Sequence, residues 1–136
     1  MKKLFGLSTA LIFIFSSCSK KCPEDISISF TSCVTDSAHV KPSLVGTWDF
    51  VKEINPYYTI WQCQIGGQLT YQFDSTGNYK YINNGTTLVQ RHYYLRGELA
   101  AVLYDSISLN VEPNFCGGYM VLRQGGDTID IYSKRN

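Results

Sequence analysis

Five cysteines and two histidines carry most of the reactive chemistry in this chain: Cys18, Cys22, Cys33, Cys63 and Cys116, with His39 and His92. No pair of cysteines forms the C-x-x-C knuckle from which zinc sites are usually built, so no metal is expected. His39 lies in a polar stretch and His92 beside Tyr93 and Tyr94; neither has a serine, cysteine or carboxylate at a spacing that suggests a triad or an acid–base pair. Both read as exposed or hydrogen-bonded structural residues. The pairs Gly66-Gly67, Gly117-Gly118 and Gly125-Gly126 separate strand-like segments, as tight reversals require, and do not form a phosphate loop. No catalytic residue and no cofactor is expected, and the chain reads as a non-enzyme. Disulfide formation remains. With Cys18 set aside for the reason given next, an even set is left, Cys22, Cys33, Cys63 and Cys116, which allows three connectivities. The preferred one joins Cys22 to Cys33 across a local loop and Cys63 to Cys116 between a strand and a distant loop. The longer closure is worth about 4 kcal/mol in chain entropy.

The chain begins with an address. Lys2 and Lys3 precede an apolar run over residues 4–15. That run is shorter than the roughly 20 residues a helix needs to cross a bilayer, so residues 1–17 read as a signal peptide. Ser16-Ser17-Cys18 resembles the lipobox of bacterial lipoproteins, with Phe15 where that family usually carries leucine. The resemblance implies that Cys18 becomes the lipidated first residue. It also implies a membrane association through this anchor and a cell-envelope location, at the outer membrane. Such a compartment is one in which disulfides persist. Residues 18–43 read as a tether and lead-in. Ile26, Ile28 and Phe30 alternate briefly, as a short strand or a plug across one end of the domain would, and Pro42 is expected to stop a helix from running into Leu44. The sequence has 136 residues, 44% hydrophobic and 14% aromatic, enough for one globular domain with a real core. Its net charge is +1, with no basic block long enough to track phosphates, so nucleic acid is not an expected partner.

The elements that must position any site are strands. Gly46-Thr47-Trp48 opens a period-two pattern in which Trp48, Phe50 and Lys52 share one side and Thr47, Asp49, Val51 and Glu53 the other, wet side. Further strand patterns cover residues 57–65, 68–73, 79–82, 86–95, 106–111, 119–123 and 128–132, and residues 99–104 suit a strand or a turn or two of helix. Residues 74–78 and Asn84-Gly85 read as turns, and 113–118 as a loop. Short strands at regular spacing over residues 44–136 mean an all-β sandwich or barrel.

Three landmarks decide between them by resemblance. Gly46-Thr47-Trp48, the hairpin Leu69-Thr70-Tyr71-Gln72-Phe73-Asp74-Ser75-Thr76-Gly77-Asn78-Tyr79, and the tail Gly126-Asp127-Thr128-Ile129-Asp130-Ile131-Tyr132 followed by basic residues resemble the small lipocalin-like lipoproteins of Bacteroidetes. The resemblance implies a lipocalin-like up-and-down antiparallel β-barrel of about eight strands. A barrel of that size either fills itself with side chains or holds one small ligand. Trp48, Phe50, Tyr71, Phe73, Tyr79 and Tyr81 are its expected lining, suited to an apolar or amphipathic ligand, with Trp48 plugging the floor. The competing expectation is an interaction module of the envelope whose loops meet another protein or a glycan, with Tyr57, Tyr58 and Trp61 as an exposed aromatic patch. Asp36-Ser37-Ala38, Asp74-Ser75-Thr76, Asp105-Ser106-Ile107 and Asp127-Thr128-Ile129 also resemble acceptor motifs of Bacteroidetes O-glycosylation, which implies Ser37 and Ser75 as the modified residues; the competing reading is that Asp followed by Ser or Thr marks turns in a β protein.

Overall fold

The strand patterns from Gly46 onward fold into antiparallel ladders joined mostly by tight turns. The computed structural model describes residues 28–136; residues 1–17, expected to be a signal peptide, and Cys18 and Cys22 lie outside the described residues. The elements in chain order are β1 (Cys33–Val34), α1 (Ser37–Leu44), β2 (Gly46–Ile54), β3 (Thr59–Trp61), a 3-10 turn (Gln62–Gln64), β4 (Leu69–Phe73), β5 (Asn78–Asn83), β6 (Thr86–His92), β7 (Tyr94–Arg96), β8 (Val102–Tyr104), β9 (Asn110–Cys116), β10 (Tyr119–Arg123) and β11 (Ile129–Lys134). Nine of the strands run around a nearly closed all-β barrel in the order β6-β5-β4-β2-β11-β10-β9-β8-β7. Apart from β2 meeting β11, neighbours in the wall are neighbours among the wall strands in sequence. This is the up-and-down, lipocalin-like arrangement.

The one opening lies between β6 and β7, which Tyr93 alone separates in sequence. One bent strand therefore leaves β5 and joins β8, and counting that pair as a single stave turns nine strands into eight. The tight turns behave as their residues dictate. Asn84 and Gly85 adopt φ of 49° and 78°, the left-handed region that a two-residue hairpin turn demands. Asp74 Oδ1 accepts the N–H groups of Thr76 and Asn78, each at 2.9 Å, and shapes the turn between β4 and β5.

The lead-in is folded from β1 onward. Asp36 caps α1, its Oδ1 accepting the His39 N–H at 3.1 Å, and Val40 and Leu44, one turn apart, are fully buried. Pro42 sits inside this helix rather than before its end. In a helix of eight residues one lost N–H is tolerated because the exposed Pro42 faces away from the buried pair. Trp48 Nε1 donates to the Leu44 carbonyl at 2.8 Å, so α1 and the buried indole together close one end of the barrel.

The preferred cysteine pairing is not the one that forms. Cys33 is joined to Cys116, 83 residues away, with their Cα atoms 4.4 Å apart. Cys22–Cys33 and Cys63–Cys116 are both excluded by that bond. The reason is topological: β1 lies antiparallel on β9 with Cys33 directly opposite Cys116, so the partner of the lead-in is a distant strand and not a local loop. Cys63 is likewise disulfide-bonded, its partner lying outside the described residues. Closing so long a loop restricts the unfolded chain by about 4–5 kcal/mol on the entropic account. The strap covers a second small core on the outer side of the wall, where Cys116, Val121 and Ile131 meet Ile28, Cys33 and Val51.

One strand also begins and ends differently from expectation. Residues 105–109 form a side-chain-capped loop, with β9 starting only at Asn110. β9 then runs through Pro113 to Cys116. Pro113 falls between the stretch that pairs with β8 and the stretch that pairs with β1, where neither neighbour engages it.

Candidate functional site

All of the expected lining residues fall in one interior cluster, which also takes in Tyr132, Met120 and Leu122. The tyrosine at its centre, Tyr71, has ring centroids of Tyr81, Tyr132 and Phe73 at 4.8, 5.3 and 5.5 Å. Phe50 meets Tyr132 edge-on at 5.6 Å. Rings at these separations are in contact, so the lumen is filled at this level. Trp48, Phe50, Phe73 and Tyr79 are buried, whereas Tyr71 and Tyr81 are only partly so. The lining thus opens toward the end of the barrel opposite α1.

The gap between β6 and β7 is bridged by side chains. Asp105 Oδ2 accepts the Tyr79 hydroxyl at 2.6 Å and Arg91 Nη1 at 3.2 Å, while its Oδ1 accepts the N–H groups of Ile107, Ser108 and Leu109 at 2.9, 2.7 and 2.9 Å. Burial works against the charge, but the Tyr79 hydroxyl and these backbone donors outweigh it and hold Asp105 well below the usual carboxylate range. All of its donors are met inside the protein, so Asp105 is a structural hub that ties β5, β6 and the loop after β8.

The open end is polar in a different manner. A bulge at Val51 shifts the register of β2 against β11, so that Tyr132 faces Phe50 while Ile131 faces Lys52. Lys52 is thereby turned to the outer side, its Nζ 4.5 Å from the centre of the Trp61 ring, and Glu53 takes an inward position directly opposite Asp130. The expected sides of this strand are therefore reversed beyond Val51. Asp130 also lies opposite Leu122, a member of the interior cluster, and directly paired residues share a face. Asn83 lies opposite Leu69 on the same interior wall. Asp130, 7% exposed, accepts the Gln124 side-chain amide at Oδ2, and its Oδ1 has no hydrogen-bond partner among the described residues. Burial and then the facing Glu53 charge push Asp130 up to about 6, against the Gln124 hydrogen bond. Burial first, then the neighbouring phenols and Asp130, raise Tyr71 and Tyr132.

On the outside, a cleft of about 540 Å³ lies between α1 and the β6–β7 bend, lined by Ser37, Lys41, Ser75, His92, Tyr94 and Tyr104. It brings together the two serines singled out as modification candidates. Asn55 Oδ1 accepts the N–H groups of Tyr57 and Tyr58 and holds both rings in solvent, Tyr57 with 92% of its surface exposed. Trp61, grouped with them in sequence, is instead partly covered. Glu53, Asn83 and Asp130 escaped sequence reading. The bulge that turns Glu53 inward has no local signature, though the inward position of Asp130 two residues before Tyr132 was readable from the period of β11.

The fold and its open end thus define a lipocalin-like all-β barrel closed at one mouth and polar at the other. No family model matches the chain, and no curated protein or solved structure matches it significantly.

Proposed function

We propose that the chain is a lipid-anchored protein of the bacterial cell envelope, of the lipocalin-like lipoprotein kind its motifs resemble, at the outer membrane. It holds a small apolar or amphipathic ligand at the open end of its barrel and does not turn it over. The observation that carries this reading is the contrast within one aromatic wall: Trp48, Phe50, Phe73 and Tyr79 are sealed, and Tyr71 and Tyr81 are left partly accessible. Apolar surface open to a mouth and backed by a rigid floor is what a small ligand needs. The anchor is Cys18. That assignment leaves Cys22 as the partner of Cys63, since Cys33 and Cys116 are joined to each other. Ser37 and Ser75 are the proposed O-glycan acceptors.

Titration of the mature chain with an environment-sensitive apolar dye tests the mouth. Saturable binding, weakened about tenfold in Tyr81→Ala, is expected, and a parent chain that binds no dye rejects the mouth site. Mass spectrometry of the membrane fraction tests the anchor, through a diacylglyceryl group on Cys18.

A second reading, an envelope module that meets a protein or glycan through its loops, is favoured by the exposed Tyr57 and Tyr58 and by the cleft beside α1. Dye-silent protein whose partner capture is lost in Tyr57→Ser/Tyr58→Ser selects it.

A further inference from the structure

Three buried side-chain atoms have no hydrogen-bond partner among the described residues: Gln62 Oε1, Asn83 Oδ1 and Asp130 Oδ1. A buried polar atom left unpaired is uncommon and calls for a partner. All three atoms are acceptors, and all three lie toward the open end. Asn83 ends β5, Asp130 stands near the start of β11, and Gln62 lies in the turn between β3 and β4, where its amide nitrogen donates to the Gly67 carbonyl. A Cβ at Gly67 would collide with Asn83 Oδ1, which places Gln62 and Asn83 on one rim. Tyr81 and Tyr132 lie two residues before Asn83 and two after Asp130 on those same faces, and Tyr71 touches both rings. Asn83 and Asp130 thus stand on either side of a floor of three phenol rings, with Asn83 Oδ1 turned toward Gly67 and Asp130 Oδ1 left without a donor among the described residues.

Charge sets the chemistry of the missing partner. Asp130 faces Glu53, and no lysine or arginine is ion-paired with either carboxylate among the described residues. A neutral apolar ligand would leave the Asp130 carboxylate uncompensated, and an anion would be repelled. An ammonium group offers several N–H donors and a positive charge, and tyrosine faces attract cations. Resting on the mouth reading, we infer that the ligand is a small amine with an apolar body, its ammonium set on Asp130 beside Glu53 and its body against Tyr71 and Tyr81. At neutral pH the carboxyl of Asp130, raised to about 6, is ionised and available to be met.

Calorimetric titration of the mature chain at neutral pH with phenethylamine, tyramine and tryptamine, each beside its alcohol counterpart phenethyl alcohol, tyrosol or tryptophol, isolates the charge. At least one amine is expected to bind about tenfold or more tightly than its alcohol, the least a charge-assisted hydrogen bond supplies. In Asp130→Asn, which removes a buried charge and keeps the side chain's shape, that preference should vanish with the alcohol's affinity retained. In Glu53→Gln it should narrow. Equal binding of each amine and its alcohol overturns the inference and leaves the mouth reading standing, as does a preference that survives in Asp130→Asn. No binding by any member of the panel removes both.

Discussion

The two ends of this barrel solve the same problem in opposite ways. At the Trp48 end a two-turn helix brings Val40 and Leu44 to zero exposure, the indole N–H finds the Leu44 carbonyl, and Tyr93 donates its hydroxyl to the Asp74 carbonyl at 3.1 Å. At the Asp130 end the wall carries facing carboxylates, and three buried acceptor atoms meet no donor among the described residues. Folding stability is drawn from the first end, and the second is held in place by it. A polar arrangement that costs free energy persists only where the rest of the structure determines it, and such sites are where binding is to be sought.

Breaking the sealed end should have the largest effect. Trp48→Ala removes the floor and its hydrogen bond and is expected to destabilise by about 3–5 kcal/mol in urea melts. A melt like the parent's would show that α1 closes the barrel without it. The bridge across the β6–β7 gap comes next. Asp105→Ala leaves Tyr79, Arg91 and three N–H groups without their acceptor, and a loss of about 2–4 kcal/mol is expected. Because Asp105 is held below the carboxylate range in the folded chain, its contribution is present above the unfolded value of 3.8 and lost as pH falls through the folded one. Parent stability should therefore drop steeply in acid, and Asp105→Asn should flatten that limb.

The open end should respond with the opposite sign. Asp130 faces Glu53, the Gln124 amide and the phenols of Tyr71, Tyr81 and Tyr132, and its folded value is raised. The folded state then holds the proton more tightly than the unfolded one. Stability without ligand should fall as pH rises from about 4 to beyond about 6. Asp130→Asn is expected to gain about 1–2 kcal/mol at pH 8, on the order of the ionisation cost, and almost nothing at pH 4. Equal gains at both pH values would mean that the carboxyl is not strained by its surroundings.

The hairpins were the most legible part of the sequence. Asp74 to Gly77 and Asn84-Gly85 adopt turn conformations that their residue types favour, and β4, β5 and β6 follow from them with the aromatic face inward. The barrel floor was legible in part: Gly46-Thr47-Trp48 marked the strand and its indole, but α1 was hidden by Pro42, whose local rule yields here to the burial of Val40 and Leu44. The open end was hidden further. An extra residue in a strand flips every later side chain, so Glu53 read as wet because the bulge at Val51 is a property of two strands paired and not of one. The cysteines failed for a related reason. Spacing in sequence says nothing about which wall strand a lead-in will lie on, and Cys33 found β9.

The strap between β1 and β9 also decides how the molecule bears force. A pull applied at Ile28, just ahead of Cys33, does not peel β1 and then α1 from the wall one hydrogen bond at a time; it passes through the sulfur bridge into Cys116, the last residue of β9. There the load enters β9 beside the ladder that joins it to β10. If the chain hangs from a lipid at Cys18 and Cys22 holds Cys63, the membrane's pull enters the wall earlier still, at Cys63 beside β3, and both β1 and the helix that stoppers the barrel stay slack. Reduction of both bonds would be needed to move the point of attack to β1 and then α1.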